Sequence, residues 1–185
     1  MKEHVCPYSD QFLADHANLS SWRTEHIYTY KVNYFYERNE SIMKRLHSEY
    51  NYAGKYYLSP VDAVNFVTAS GGITFLKERL VVRLYGSSKQ SVIDYVKTPS
   101  SPKELSFVEF LEFFARVAYA TFLVPNEKYS ELPMGDRIDA LLAHYCKKKN
   151  INGMLSSLKE DMSGLVDEVI EWMKDFALRE VMQNQ

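Results

Sequence analysis

Two acidic side chains, Glu109 and Glu112, lie three residues apart in the stretch KELSFVEFLEFF, residues 103–114. Side chains at this spacing share one face of a helix, where two carboxylates can share a proton or offer oxygen ligands to a cation. Arg116 follows Glu112 by four residues, the spacing of a favourable helical ion pair. The pattern predicts a solvated acidic face with its own arginine partner, and it does not indicate acid–base catalysis.

The same stretch matches the second half of a twelve-residue calcium-binding loop, which has ligands at positions 1, 3, 5, 7, 9 and 12, glycine at 6 and an apolar residue at 8. With Leu105 at position 8, Glu109 takes position 12, the place of the bidentate carboxylate. The first, third, fifth and sixth positions are then Thr98, Ser100, Pro102 and Lys103. Because the first five positions hold no carboxylate, the sequence predicts that this loop binds no calcium.

A weaker match lies upstream, in NYAGKYYLSPVD. With Leu58 at position 8, Asn51 and Asp62 take positions 1 and 12, while Ala53 and Lys55 occupy the ligand positions 3 and 5. This loop is also expected to be vacant. Both sites keep the order Leu-Ser-x-x-acid at the start of a predicted helix. In a paired arrangement the apolar residues at position 8 of the two loops pair with each other.

On these motifs, residues 37–122 resemble degenerate EF-hand domains of the calmodulin superfamily, in particular the ion-free EF-hand-like modules of ciliary and cytoskeletal proteins. The resemblance rests on LSFVEFLEFFARVAY, on the preceding ERLVVRLYGSSKQ and on the variable loop between them. It implies a helical scaffold or partner-binding role without calcium sensing. Of the family's ligand positions, only Glu109 and Asp62 carry over, and both lack their partner ligands.

The sequence contains no catalytic or cofactor-binding motif, such as a nucleophile elbow, a phosphate loop, a dinucleotide fingerprint or a zinc-protease signature. The triplet KKK at 147–149 is interpreted as a solvated helix end. Neither Cys6 nor Cys146 has a partner at zinc spacing, and both are expected to be reduced thiols. The histidines are likewise scattered: His4, His16, His26, His47 and His144. We therefore assign no catalytic, cofactor-binding or metal-binding residue, and we expect a protein without enzymatic activity.

Composition excludes two classes of partner. The net charge of −2 creates no field that would attract a polyanion, so nucleic acid is not expected. No stretch approaches the roughly 20 apolar residues of a membrane span. Because the N-terminal residues also lack the features of a signal peptide or presequence, we expect a soluble protein of the cytoplasm, with the cilium or cytoskeleton as its setting. The 14 tyrosines are typical of either an aromatic core or a protein interface.

Periodicity predicts helices in most of the chain. Residues 27–36 partly alternate like a strand, and we favour a helix from about Glu37. Ser59 and Pro60 begin the next helix, which ends at Gly71 and Gly72. Further helices are predicted over 73–88, from Phe107, over Arg137–Lys148, and from Ser157 and Glu160 to the C-terminus.

The last predicted helix has an apolar seam of period 3.5 and a second row beside it, which favours burial in the chain's own core over a simple dimer. The seam is Leu158, Met162, Leu165, Val169, Trp172 and Phe176, and the second row is Val166, Ile170, Met173 and Ala177.

We thus predict an all-α protein with paired EF-hand-like helix-loop-helix units and additional C-terminal helices. The predicted segments are an N-terminal arm (1–36), the degenerate EF-hand-like pair (37–122) and a C-terminal helical extension (123–185) that packs on the pair or on a partner. The predicted function is that of a non-catalytic structural subunit or adaptor, cytoskeletal or axonemal, whose partners are protein subunits of a larger, microtubule-associated assembly. The alternative is a calcium- or ligand-responsive regulatory protein. Candidate contact residues are Trp22, Trp172 and the tyrosines from Tyr28 to Tyr36.

Overall fold

The computed structural model describes residues 19–49, 58–89, 105–149, 162 and 164–183. Across this part of the chain the regular structure is helical, and the one β contact is a single bridge between two residues. The predicted all-α class is confirmed for the described residues. The described helices are α1 (Leu19–Trp22), which continues as a π-helical turn (Arg23–Ile27), α2 (Tyr30–Arg38), α3 (Glu40–Glu49), α4 (Pro60–Asn65), which continues as a π-helical turn (Phe66–Ser70), α5 (Glu78–Ser88), α6 (Phe107–Phe122), α7 (Glu127–Ser130), α8 (Met134–Lys148) and α9 (Leu165–Gln183).

Helix α6 lies at the centre of the molecule, where α3, α5, α8 and α9 all pack against it. It begins at Ser106, whose hydroxyl caps the first turn. Its phenylalanines Phe110, Phe113 and Phe114 are fully buried, and so are most of the residues that follow them. Because neighbours surround α6, its polar side chains also lie inside the protein.

The tyrosine-rich segment 27–36 is helical from Tyr30 onward. Thr29, in extended conformation, caps this helix with its side chain, so α2 begins there and not at the predicted Glu37. The helix breaks at Asn39, and α3 follows directly. The partial alternation in the sequence arises because the residues of α2 that face the core are interspersed with exposed tyrosines.

The predicted start and end of α4 are confirmed. Ser59 is the N-cap and Pro60 the first helical residue. The π-helical turn that follows α4 ends at Gly71, and Gly72 adopts a φ of 68°. This left-handed conformation favours glycine because a β-carbon would be strained there.

The helix predicted over residues 73–88 begins only at Glu78. Ile73 and Leu76 are fully buried, but they lie in the irregular segment between Gly72 and α5. An apolar pair three residues apart suits a helix and also suits a tight turn folded over a core. The sequence pattern alone therefore placed the start of α5 too early.

Helix α9 buries three residues of the predicted second row, Val166, Ile170 and Met173, but Val169 alone among the described seam residues; Met162, Leu165, Trp172 and Phe176 are half-buried and Ala177 is exposed. Helix α8 begins at Met134, slightly before the predicted Arg137, and ends at the predicted Lys148. The predicted cap residues of the last helix, Ser157 and Glu160, lie outside the described residues, as does Leu158 of the seam. The buried residues of α9 are Val166, Val169, Ile170 and Met173.

One hydrophobic core extends through the described chain, from Trp22 in α1 to Met173 in α9. It therefore contains side chains from all three predicted segments. Phe66 is at its centre and stacks on Tyr145 of α8, with ring centroids 4.3 Å apart. The Tyr145 hydroxyl donates to the Phe66 carbonyl at 2.7 Å, so this buried polar group is satisfied.

Candidate functional site

The two leucines aligned at position 8 are joined by an antiparallel bridge. The Leu58 amide donates to the Leu105 carbonyl at 3.1 Å, and the Leu105 amide donates to the Leu58 carbonyl at 2.8 Å. Both side chains are fully buried. The bridge holds the starts of α4 and α6 side by side. The EF-hand relationship itself stays a prediction.

Each bridged leucine is followed by a matching helix start. Ser59 and Ser106 are the N-caps, and the acid at the third helical position, Asp62 or Glu109, reaches back to the cap in a reciprocal capping box. Asp62 Oδ2 accepts from the Ser59 amide at 3.2 Å. Both acids that align at position 12 therefore accept hydrogen bonds from their own helix starts.

The carboxylate of Glu109 has a further cationic partner. Its Oε2 accepts from the Ser106 amide at 2.8 Å and from the Ser106 hydroxyl at 3.0 Å. The ammonium of Lys89, which follows the last residue of α5, lies 3.0 Å from the same oxygen. One oxygen of Glu109 thus receives three donors, which leaves it poorly suited to bind a divalent ion.

Glu112, one turn further along α6, lies between two arginines. The guanidinium of Arg116 donates to Glu112 Oε1 from Nε at 3.0 Å and from Nη2 at 2.8 Å. Arg23, from the π-helical turn near the N-terminus, donates from Nε to Oε2 at 2.8 Å. The predicted pairing of Glu112 with Arg116 is confirmed.

The prediction that this acidic face is solvated is wrong. Glu109 is 5% exposed, Glu112 is 6% exposed and Arg116 is fully buried. Two other segments supply cations to these acids: Arg23 of the N-terminal π-helical turn binds Glu112, and Lys89 at the end of α5 binds Glu109. Buried charges are tolerated when they are paired and hydrogen-bonded, as they are here. Sequence spacing showed the pair within the helix but not the segment that buries it.

An aromatic ring covers the other side of Arg116. Its guanidinium carbon lies 3.9 Å from the ring centroid of Trp22, close enough for a strong cation–π contact. Its Nη1 has no hydrogen-bond partner among the described residues. Burial lowers the pKa of Arg116, and the hydrogen bond to Glu112 opposes this shift. Arginine nevertheless stays charged at physiological pH.

The stack of alternating rings and cations continues towards α8. Trp22 lies edge-on to Tyr119, with centroids 5.8 Å apart, and His26 lies 5.0 Å from the same tyrosine. The guanidinium of Arg137 lies over the ring of Tyr119, with its carbon 5.0 Å from the ring centroid. Trp22, a predicted partner-contact residue, is 3% exposed and therefore serves the chain's own packing.

A small cleft opens beside this stack, but its lining does not suit a ligand site. Its volume is about 220 Å³, and it is lined by His26, Tyr119, Leu132, Pro133, Met134 and Arg137. Arg137 would be its natural anion-binding group, but its guanidinium already donates to the carbonyls of Leu132, Ser130 and Tyr119. The cleft is also smaller than the roughly 300 Å³ at which ligand pockets begin.

Lys147 and Lys148 are exposed, as expected for a solvated helix end, and each of the lysines at 147–149 also contacts a different element. Lys147 pairs with Asp167 of α9 at 3.1 Å, and Lys149 pairs with Glu49 of α3 at 2.7 Å. Lys148 donates to the carbonyl of Gly71 at 2.9 Å. The end of α8 therefore fastens three neighbouring segments.

Fully buried His144 completes this junction. Its Nε2 lies 2.6 Å from the carbonyl of Gly71, and its Nδ1 lies 3.2 Å from Oδ1 of Asp167. Burial lowers the pKa of His144, and the contacts with Gly71 and Asp167 oppose this shift. The imidazole links α8 both to the glycine turn and to α9, which indicates a structural role.

No cluster of three or more histidine, cysteine or acidic side chains in the described ranges has the geometry of a metal site. The thiol of Cys146 is buried, and burial raises its pKa to about 11, so it is a poor nucleophile at neutral pH. Cys6 lies outside the described residues. None of the described helices is both long and apolar enough to cross a membrane.

The exposed aromatic surface lies on and before α2. Tyr28, Tyr30 and Tyr34 are exposed, and the rings of Tyr30 and Tyr34 stack with centroids 6.1 Å apart. Tyr36, in contrast, donates its hydroxyl to the carbonyl of Leu111 at 2.8 Å, and burial raises its pKa. The predicted contact tyrosines are thus divided between the surface and the core.

The last turns of α9 expose a second apolar surface, formed by Leu178, Val181 and Met182, which we call the α9 tip. Their exposed fractions are 63%, 52% and 76%. At about 100° per residue, Val181 continues the face of Ile170, whereas Leu178 and Met182 lie roughly 80° and 120° round the helix from Ile170. The tip follows the last buried core residue of the helix, Met173, so the core that the first half of α9 covers does not reach it.

No family model, curated protein or solved structure matches the chain.

Proposed function

We propose that the protein is a non-catalytic structural subunit or adaptor of a larger protein assembly. The observation that carries this proposal is the α9 tip, where three large apolar side chains are exposed beyond the part of the helix that packs on the chain's own core. Apolar side chains that continue along a helix past the chain's own core suit burial against a second protein. The stacked tyrosines of α2 provide a further surface of the amphipathic kind that interfaces favour.

The helix pair around the Leu58–Leu105 bridge serves as the scaffold in this proposal. Two Leu-Ser-x-x-acid helix starts, joined by two backbone hydrogen bonds, support a degenerate EF-hand-like pair. The acids at position 12 cap their own helices, which supports a structural role rather than calcium sensing. The cytoskeletal or ciliary setting rests on the sequence resemblance alone.

A charge substitution at the tip tests the proposal. Val181→Glu combined with Met182→Lys should leave the melting temperature unchanged, because both residues are exposed, and should remove the protein from its native assembly. Val82→Glu, at an exposed valine of α5, is the matched control. Assembly should be measured by sedimentation of tagged proteins in extracts of the source cells. Equal incorporation of both variants would contradict a role for the α9 tip.

A further inference from the structure

Three basic side chains at the end of α8 share two acceptors. The side chains are His144, Lys147 and Lys148, and the acceptors are the carbonyl of Gly71 and the carboxylate of Asp167 in α9. The carbonyl oxygen lies 2.6 Å from Nε2 of His144 and 2.9 Å from the ammonium of Lys148. The carboxylate oxygens lie 3.2 Å from Nδ1 of His144 and 3.1 Å from the ammonium of Lys147. The imidazole therefore shares each acceptor with an ammonium group.

These partners define how the neutral ring is protonated. Because a backbone carbonyl only accepts hydrogen bonds, Nε2 carries the hydrogen. Nδ1 then bears a lone pair, and within the described residues it has no hydrogen-bond partner. The described charged groups that face the ring are Asp167, Lys147 and Lys148. A second proton on His144 would place three cations around one carboxylate, so this junction suits a neutral imidazole.

Two effects oppose each other when His144 takes up that proton. A protonated Nδ1 can donate to Asp167, which favours the charged ring. However, the imidazole is fully buried, whereas the Asp167 side chain is 44% exposed and already pairs with Lys147. Water therefore screens the carboxylate, while the charged ring loses its hydration. Burial is the largest influence on the pKa of His144 and lowers it, so the neutral ring is the better fit.

Helix α9 is attached to the body through its first half. Its buried side chains are Val166, Val169, Ile170 and Met173. After Met173, none of the described residues is buried. Among the described residues, one further ion pair joins α9 to another element, but both Lys128 and Glu168 are exposed, and such a pair adds little. A helix held over half its length can open while the rest of the core stays folded.

We propose that the junction around His144 is an acid-sensitive latch: protonation of the ring loosens α8 and the glycine turn from α9, which then opens locally before the whole protein unfolds. The proposal goes beyond the subunit role, although it concerns the helix that carries the α9 tip. The opened form binds the proton with the ordinary pKa of 6.5, and the latched form binds it with a lower pKa. The latch is therefore complete above pH 6.5 and weakens as the pH falls below that value.

Hydrogen exchange of the purified full-length protein, measured by mass spectrometry from about pH 8 to about pH 5, tests the latch across the range in which histidine titrates. After correction for the intrinsic pH dependence of exchange, amides of α9 should be less protected than those of α6 at every pH. Protection of α9 should fall by up to about tenfold per pH unit below 6.5, because its opening takes up one proton.

Two substitutions identify the group responsible. His144→Gln keeps a donor for the carbonyl of Gly71 but binds no proton, so protection of α9 should change little with pH. His47→Gln is the matched control, because His47 is a buried histidine of α3 whose pKa is also lowered by burial. It should leave the pH dependence of α9 exchange as it is in the wild type.

Lys148→Met tests the shared acceptor without a change to the imidazole. It removes an exposed ammonium that competes for the carbonyl of Gly71 and that lowers the pKa of His144. The proton on His144 is then better tolerated in the latched form. Protection of α9 should therefore fall less steeply below pH 6.5 than it does in the wild type.

The proposal is wrong if protection of α9 stays constant or rises in acid, since the attraction of Asp167 would then equal or exceed the cost of burial. It is also wrong if His144→Gln keeps the pH dependence of the wild type, or if α9 and α6 are equally protected. None of these results depends on assembly. A protein that shows the acid response but migrates as a free monomer would refute the subunit role and leave the latch intact.

Discussion

At the scale of single residues, the main feature of this protein is charge held inside a helical core. Glu112 is paired with two arginines, and Arg116 is fully buried against the ring of Trp22. Such a cluster adds little net stability while it is complete, but it becomes costly when one member is lost. Glu112 is therefore the most sensitive position of the cluster.

We expect Glu112→Gln to lower the free energy of unfolding by about 3 to 5 kcal/mol, because two guanidinium groups lose their only shared carboxylate. Urea unfolding of the purified variant measures this loss. Glu40→Gln, which breaks an exposed pair with Lys44, is the control and should cost less than about 0.5 kcal/mol. Similar losses of unfolding free energy in the two variants would show that the buried network contributes no more to stability than the exposed pair.

The second prediction at this scale concerns pH. The pKa of His144 is lowered below its ordinary value of 6.5, chiefly by burial, so the unfolded chain binds this proton more readily than the folded protein does. The charged groups around the ring are Asp167 on α9 and Lys147 and Lys148 on α8. Stability should therefore be fully present above the unfolded value and should fall as the pH drops below it.

The slope contributed by His144 is at most about 1.4 kcal/mol per pH unit. His47 has a pKa lowered by burial as well and adds to the same trend. In His144→Gln, whose amide can still donate to the carbonyl of Gly71, the stability should fall less steeply with decreasing pH below 6.5 than in the wild type. Melting temperatures measured across this range test the prediction, and parallel slopes for the variant and the wild type would refute it.

At the scale of elements, glycine and cap residues determine where helices end. Gly72 has a positive φ, and a β-carbon there would also collide with the ammonium of Lys148. Gly86, in α5, has open space around its α-carbon. Substitution of these two glycines by alanine is therefore expected to change the stability of the protein in opposite directions.

Gly72→Ala should destabilise the protein by about 1 to 2 kcal/mol, since alanine is strained in the left-handed region. Gly86→Ala should stabilise it by about 0.5 to 1 kcal/mol, because alanine is the better helix former. Denaturant unfolding of both variants gives the comparison. The account of this turn is wrong if the two substitutions change stability in the same direction.

Local signals predicted several of these elements correctly. Ser59 with Pro60, and Ser106 with Glu109, mark helix starts because capping depends on residues close in sequence. The start of α5 was predicted too early. Ile73 and Leu76 are apolar because they lie in a turn that packs on the core, and they do not belong to the helix.

The buried cluster could not have been predicted for a different reason. The cation partners of Glu112 and Glu109 include Arg23 and Lys89, which lie 89 and 20 residues away in the sequence. An acid and an arginine spaced by four residues look the same whether water or another segment covers them. Burial of α6 is a property of the tertiary fold, and only the pair within the helix has a sequence signal.

At the scale of the whole molecule, one core with firmly joined helices carries two exposed apolar surfaces. Lysines at the end of α8 fasten three segments, and two cations fasten α5 and the N-terminal turn to α6. The α9 tip and the exposed tyrosines Tyr28, Tyr30 and Tyr34 lie outside these contacts. The proposed subunit role would use these exposed surfaces.

The most direct test of this account is the native size of the protein in a gentle extract of its source cells, with cross-linking to identify its neighbours. We predict that it sediments in a particle far larger than its own 21.6 kDa, in calcium and in chelator alike, with cross-links from Lys174 beside the α9 tip. A free monomer without stable neighbours, or a particle that forms only when calcium is present, would contradict the account.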